Sequence, residues 1–124
     1  MSTRQTKGQV EAQIAAMITG FEREQMGRGP KEVRVWIVED LILIRLKGVL
    51  TPAEERLTGD PNGRHLLKQL RNRLIETSRA VVEEAIGTIT GVPMISLHSD
   101  LSIRTGERIL VLTLAENLEA RFRE

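Results

Sequence analysis

Three residue types that cooperate in hydrolytic enzymes stand side by side at His98, Ser99 and Asp100. A catalytic triad needs the serine oxygen, the imidazole and the carboxylate in one line of hydrogen bonds, whereas consecutive strand residues point to opposite faces. The spacing therefore argues against a triad. His98 and Asp100 could share one face, where the carboxylate would orient the imidazole as a proton acceptor. The simpler interpretation is the polar end of a β-hairpin, in which Ser99 and Asp100 bond to nearby backbone groups.

A second candidate lies in residues 26–31, MGRGPK, which combine two glycines with two cations. Gly27 and Gly29 let the backbone approach a ligand, and Arg28 and Lys31 supply positive charge, so this segment is the best anion-binding candidate. It is not a P-loop, because the Gly-Lys-Ser/Thr ending is missing and the segment follows a helix and precedes a strand. The alternative is a helix stop whose cations are solvated.

Metal ligation has little support in the residue types. The two histidines, His65 and His98, fall on different predicted elements, there is no cysteine, and no zinc or EF-hand spacing occurs. Asp60, Asn62 and His65 crowd one segment, but a turn and a helix cap explain them. We therefore expect no metal, no cofactor and no catalytic residues.

One predicted helix face is basic, which raises the possibility of contacts with phosphates. Its cations are Arg64, Lys68, Arg71, Arg73 and Arg79. The chain has one tryptophan, two phenylalanines and no tyrosine, too few for base stacking, and no helix-turn-helix pattern. We expect no nucleic acid, and predict a solvated face or one paired with the acidic VVEEA segment of a neighbour.

Composition limits the remaining choices. The 124 residues, 40% apolar and 28% charged, suit a single domain spanning 1–124 with one core. The net charge of +1 gives no global field for nucleic acid or anionic membranes. The N-terminus lacks a signal-peptide core, and no apolar run approaches the roughly 18 residues of a membrane span. A cytoplasmic location is the expectation.

Periodicity predicts the elements that must position these residues. Apolar steps of three and four predict a helix over 8–25, and a longer central helix over 64–86. Between them, residues 33–50 predict a hairpin turning at Glu39 and Asp40, and Thr51 begins a short helix with a proline and a capping glutamate. A second hairpin over 93–116 turns between Ser102 and Glu107, and a short helix over 115–124 closes the chain. The expected apolar stripe of the central helix is Leu67, Leu70, Leu74, Val81 and Ala85, broadened by Leu66, Ile75, Val82 and Ile86.

The order helix, strand, strand, helix occurs twice, and residues 35–41 can be aligned with 95–101. The predicted fold is α+β: two αββ-type units forming a four-stranded, mainly antiparallel sheet with helices packed on one face. Both sheet faces carry apolar residues. One face is predicted to hold Val33, Val35, Ile37, Leu41 and Leu43, and the other Trp36, Ile42 and Ile44. The uncovered face favours a homo-oligomer, most simply a dimer.

Three segments resemble the MpsC family, small bacterial and archaeal proteins also called YbcI-like. They are KGQVEAQI, EREQMGRGPKEVRVWIVEDLILIRLKGVLTPAE and VPMISLHSDLSIRTGERILVLTL. The resemblance implies the small soluble component of a cation-translocating, membrane-potential-generating system linked to inorganic carbon uptake. Such a system also has a multi-spanning subunit similar to those of proton-pumping NADH dehydrogenases. A non-enzymatic accessory or regulatory protein, peripheral to the membrane through its partner, is the expectation.

Two other functions stay open at this point. A small-anion sensor or enzyme, with bicarbonate or phosphate as ligand, would use Arg28, Lys31 and His98. Nucleic-acid binding would use the basic face between Arg64 and Arg79, with an affinity that falls steeply with salt.

Overall fold

The computed structural model describes residues 5–122 and confirms the α+β class. Its helices are α1 (Lys7–Met26), α2 (Pro52–Leu57), α3 (Pro61–Thr77) and α4 (Arg79–Thr90). Its strands are β1 (Glu32–Val38), β2 (Leu41–Lys47), β3 (Met94–Ser102) and β4 (Glu107–Leu114). The predicted last helix is a single 3-10 turn at Glu119–Phe122, and residues 123 and 124 lie outside the described range. Within residues 5–122, no helix has the length and apolar character needed to cross a membrane.

The four strands form one antiparallel sheet in the order β1-β2-β4-β3. Two hairpins therefore lie side by side, and β2 pairs with β4 in the centre, as expected for two αββ units. The proposed residue alignment of the halves is wrong, however. Residues 35–41 run through the first turn into β2, whereas residues 95–101 lie entirely within β3.

The predicted assignment of residues to the two sheet faces is wrong for β2, and the two-residue turn at Glu39 and Asp40 is the reason. Glu39 has a left-handed backbone (φ 56°), and the turn pairs Val38 with Leu41. Directly paired residues share a face, and this register moves Leu41 and Leu43 away from the side predicted for them. The inner face carries Val35, Ile37, Ile42, Ile44 and Leu46, all buried. The outer face of this hairpin carries Trp36, Val38, Leu41 and Leu43.

Helices cover the inner face and complete one hydrophobic core. Helix α1 buries Val10, Ile14 and Ile18, one residue per turn, as its period predicts. The predicted central helix is instead two helices that meet at Ser78. Its apolar stripe is narrower than predicted: Leu67, Ile75, Val82 and Ile86 are buried as expected, but Leu66 is exposed. The buried positions of α3 and α4 are Gly63, Leu67, Arg71, Ile75, Val82 and Ile86, whereas Leu70 and Val81 are exposed.

Local capping signals determine where α2 and α3 begin. Thr51 and Glu54 form the predicted capping box at the start of α2. Asp60 caps α3 by accepting a hydrogen bond from the Gly63 N–H at 2.8 Å, so the helix begins at Pro61, earlier than predicted. A Cβ on Gly63 would lie 2.1 Å from the Leu57 carbonyl oxygen. Only glycine allows α3 to approach the end of α2 this closely.

Candidate functional site

The anion candidate in residues 26–31 is primarily a helix stop. Gly27 ends α1 in the left-handed conformation (φ 79°), and its N–H donates to the Arg23 carbonyl at 2.8 Å. The Arg28 guanidinium nitrogens lie 3.5 Å from the carbonyl oxygens of Gly48 and Leu50. A Cβ on Gly29 would come within 3.3 Å of the Thr19 side chain, so that glycine serves close packing on α1. Arg28 is therefore directed at backbone carbonyls.

Lys31 has a different environment from Arg28. Its backbone N–H extends the first hairpin by donating to the Lys47 carbonyl at 2.9 Å. Its aliphatic chain lies on Gly48, where a Cβ would approach Lys31 Cδ to 2.6 Å. Gly48 also has a left-handed backbone (φ 65°), which glycine adopts without strain. Gly48 thus both turns the chain out of β2 and leaves room for the Lys31 side chain.

Lys31 lines a cleft of about 360 Å³ at the end of the sheet. The lining residues come from distant segments: Lys31, Gly48, Leu50, Glu55, Thr58, Ile103, Arg104, Thr105 and Gly106. Two cations, Lys31 and Arg104, and one carboxylate, Glu55, border this cleft. Residue 31 of the GRGPK segment and residues 105–106 of the TGER segment therefore meet at one place. We call this the Lys31 cleft.

Four charged side chains are buried among the described residues: Glu22 of α1, Glu54 of α2, Arg71 of α3 and Arg108 of β4. Arg71 donates from Nε to Glu54 Oε2 at 2.8 Å and from Nη2 to Glu54 Oε1 at 2.8 Å. Its Nη1 donates to Glu22 Oε1 at 3.1 Å. Arg108 Nη1 lies 3.7 Å from Glu22 Oε2. Two cations and two anions thus balance in the interior and join three helices to a central strand.

The same arginines hold the connection from β2 to α2. Arg71 Nη2 donates to the Val49 carbonyl at 2.6 Å, and the Val49 N–H donates to the Gly106 carbonyl at 3.1 Å. Arg108 Nη2 donates to the Arg71 carbonyl at 3.2 Å, while its Nε has no hydrogen-bond partner in residues 5–122. The buried ionic network therefore supports the wall of the Lys31 cleft.

Burial and pairing have opposite effects on the pKa values of this network. Burial alone would raise the pKa of Glu54, but hydrogen bonds from Arg71 and the Thr51 backbone outweigh it, so this pKa lies below 4.5. Burial opposes the charge of Arg71, yet Glu54 and Glu22 more than compensate and raise its pKa. Arg108 is less well paired, and burial lowers its pKa despite the charge of Glu22. Arg71 is thus better satisfied by its partners than Arg108, the other cation of the network.

Sequence reasoning missed this network, although a signal was present. Glu22 continues the four-residue step of the buried α1 positions, and Arg71 lies midway between buried Leu67 and Ile75. A charged residue at a position where the period requires an apolar one indicates a buried partner. Glu54 was identified only as a capping residue, and Arg108 only as part of a strand.

The residues His98, Ser99 and Asp100 lie within β3, before the turn at 103–106. They pair with Val111, Leu110 and Ile109, respectively, so Ser99 faces inward and its two neighbours outward. The expected backbone bonds are not formed by the described part of the chain: Ser99 Oγ is buried without a hydrogen-bond partner, and Asp100 lies 3.6 Å from Lys68 Nζ. His98 Nε2 lies 3.4 Å from Ser96 Oγ. The structure does not bring these residues to the Lys31 cleft.

The predicted basic face is largely engaged with its own chain. Arg71 is buried, Arg64 donates to the Thr58 carbonyl at 2.9 Å, and Arg79 donates to the Ile95 carbonyl at 3.1 Å. One part of the solvent-exposed surface of α3 combines apolar and polar residues around a shallow depression: Leu66, Gln69, Leu70, Asn72, Arg73 and Glu76. Leu66 and Leu70 are 57% and 46% exposed. We call this set the α3 patch.

Comparison with known protein families identifies the family to which this chain belongs. The sequence model described as "Na+-translocating membrane potential-generating system (MpsC)" matches residues 6–116. The chain belongs to the MpsC family. The MpsC match covers α1, the complete sheet, the ionic network and the Lys31 cleft.

The chain is also similar to two proteins of Bacillus subtilis (strain 168). The uncharacterized protein YbcI is 40% identical over 116 residues, which cover 94% of each chain. The uncharacterized protein YrhF is 23% identical over 104 residues, covering 83% of this chain and 85% of that protein. No solved structure matches this MpsC chain.

Proposed function

We propose that the protein is a non-enzymatic accessory subunit that binds another protein of a cation-translocating membrane system through the α3 patch. The observation that supports this most directly is the exposure of Leu66 and Leu70 on successive turns of one helix. Leucines four residues apart form one surface stripe, which is how an amphipathic helix contacts a protein partner. Arg73 and Glu76 give this stripe a polar border.

The family description supports the kind of partner. The matching family is described as part of a Na+-translocating, membrane-potential-generating system, and such a system requires membrane-spanning subunits. A chain that attaches to one of them needs an exposed contact surface. The α3 patch provides one without disturbing the core, because the opposite side of α3 carries buried Leu67 and Ile75.

Affinity purification from the native organism tests this proposal. A tagged chain should recover a multi-spanning cation-translocating subunit from detergent-solubilised membranes, identified by mass spectrometry. The variant Leu66→Ser/Leu70→Ser should lose at least about 10-fold of that recovery, whereas Ile95→Ser should retain it. Ile95 is a suitable control because it is also an exposed apolar residue, 58% accessible, but lies on β3. Failure of the wild-type chain to recover such a subunit, or undiminished recovery by the double variant, would contradict the proposal.

The Lys31 cleft favours a second candidate function, the binding of a small anion such as bicarbonate or phosphate. Lys31 and Arg104 supply positive charge at the same cleft, and Thr58 and Thr105 also line it. Isothermal calorimetry with bicarbonate and with phosphate tests this candidate. Lys31→Met/Arg104→Met should abolish the heat of binding, whereas Lys47→Met, which removes an exposed cation outside the cleft, should preserve it. The absence of heat with both anions for the wild-type chain would discard this function.

A further inference from the structure

The sheet has one face that no described helix covers. Residues facing the helices are mostly buried, whereas every residue on the opposite face is at least partly exposed to solvent. The centre of this outer face is nevertheless apolar and comprises Trp36, Val38, Leu41, Leu43, Ile109 and Val111. Val38 and Leu41 are 47% and 36% exposed. A contiguous apolar surface on a sheet is typical of sheet-on-sheet packing.

We propose that two copies of this chain pack outer face against outer face, about a twofold axis that runs parallel to the strands between β2 and β4. This inference does not depend on the proposed function, because the α3 patch lies on a helix of the other side of the sheet. The occupant of the outer face is therefore a second copy of the same chain. The distribution of charge on this face determines the direction of the axis.

One cross-strand row of the outer face has opposite charges at its two ends. The register aligns Arg34 with Arg45, Arg45 with Ile109, and Ile109 with Asp100. Arg45 is already paired with Glu107, at 2.6 Å from Nε to Oε2. Arg34 has no carboxylate partner in residues 5–122; its guanidinium carbon lies 5.3 Å from the centre of the Trp36 ring. Asp100, at the other end of the row, lies 3.6 Å from Lys68 Nζ on α3 but keeps 85% of its side chain exposed.

A twofold axis parallel to the strands brings the opposite charges at the two ends of this row together across the interface. The rotation places β1 of one copy over β3 of the other and keeps every row at the same height along the strands. Arg34 of each copy then faces Asp100 of the second copy, and this pair occurs twice. The neighbouring row, which contains Trp36, Leu43 and Val111, stacks on its own counterpart. Both charged ends are thereby matched while the apolar centre is buried.

The other in-plane axis direction does not match the charges. A twofold perpendicular to the strands places β1 over β1 and inverts the rows. It therefore brings the row of Arg34 and Arg45 over the apolar row of Val38 and Leu41. Such an arrangement buries Arg34 against apolar side chains without a carboxylate partner, which is costly. Charge complementarity thus selects the axis parallel to the strands.

Analytical ultracentrifugation of the complete chain with a charge-reversal cycle tests this interface. The wild type should sediment at twice the monomer mass of 13.9 kDa. Arg34→Asp and Asp100→Arg should each raise the dimer dissociation constant at least about 10-fold, because each places like charges opposite one another. The combined variant Arg34→Asp/Asp100→Arg should return to within about 3-fold of the wild type, since the pair is restored with reversed signs.

Two control variants distinguish the outer face from α3 as the dimer contact. Arg73→Asp reverses a charge on α3 and should leave the dissociation constant unchanged. Leu66→Ser/Leu70→Ser removes the α3 patch and should also remain dimeric, so failure of the proposed function and failure of this interface are distinguishable. A monomer at all concentrations, a dimer that the double reversal does not restore, or a dimer lost through the α3 patch would each overturn the proposal.

Discussion

The Glu54 carboxylate binds Arg71 through both of its oxygens, and its Oε1 also accepts the Thr51 backbone N–H at 2.9 Å. One side chain therefore begins α2 and neutralises the buried arginine of α3. This shared use makes Glu54 more sensitive to substitution than a capping residue on a solvated helix.

Glu54→Gln should lower the free energy of unfolding by about 2–4 kcal/mol. Glutamine can maintain the capping hydrogen bond, but it carries no charge and offers Arg71 one acceptor oxygen in place of two. Urea denaturation measures the loss. Glu55→Gln changes the next residue, which is exposed, and should cost less than about 0.5 kcal/mol. Equal losses in the two variants would contradict a special role for the buried pair.

The same pair predicts a pH dependence of stability. Because the pKa of Glu54 in the folded state lies below 4.5, its ordinary value in the unfolded chain, the unfolded state takes up the proton first as pH falls. The contribution of Glu54 is therefore fully present above about pH 4.5 and decreases below it. The difference in unfolding free energy between the wild type and Glu54→Gln should narrow as the pH falls below about 4.5. A difference that stayed constant as the pH fell below 4.5 would contradict the depressed pKa.

Removal of the central cation should be still more damaging. Arg71→Met leaves Glu22 and Glu54 buried without their main partner and should cost about 3–5 kcal/mol of folding free energy. Arg73→Met, two residues further along α3 on its exposed side, is the matched control and should change stability by less than about 0.5 kcal/mol. The combination Arg71→Met/Glu54→Gln should cost less than the sum of the two single losses, because it removes opposite charges together. Additive losses would show that the two residues act independently.

Gly48 should not accept a side chain. Gly48→Ala places a Cβ on a left-handed backbone and 2.6 Å from Lys31 Cδ, so we expect a loss of about 1–2 kcal/mol in thermal or urea unfolding. Gly59→Ala, at which no atom lies within 4 Å of the added carbon, should be close to neutral. A neutral Gly48→Ala would show that the Lys31 side chain is free to move away and that the backbone adapts.

The local elements were largely predictable because their signals lie within a few residues. The start of α2 is predicted by the capping-box spacing of Thr51 and Glu54, which are three residues apart. The end of α1 is predicted by Gly27, which follows the last apolar turn of that helix. The break at Ser78 was not predictable in this way, since neither glycine nor proline marks it. The helix ends there with the Thr77 hydroxyl donating to the carbonyls of Arg73 and Leu74.

The errors in the sheet faces and in the candidate site arose from long-range relationships. The positive φ of Glu39 determines which residues of β1 and β2 share a face, and nothing in a glutamate predicts that conformation. Arg71 was assigned to a solvated face because its main partners, Glu22 and Glu54, lie 49 and 17 residues away. The Lys31 cleft likewise depends on the meeting of residues 31, 48 and 104. Only the folded chain brings these charges together.

The placement of β4 also governs when the sheet can assemble during synthesis. Residues 107–114 form the last of the four strands to be made, yet they occupy the interior of the sheet between β2 and β3. The edge of β2 that pairs with β4 therefore stays unpaired until residues 107–114 have been synthesised and have left the ribosome. An unpaired strand edge can pair with other chains, so the incomplete sheet is open to intermolecular strand pairing during this interval.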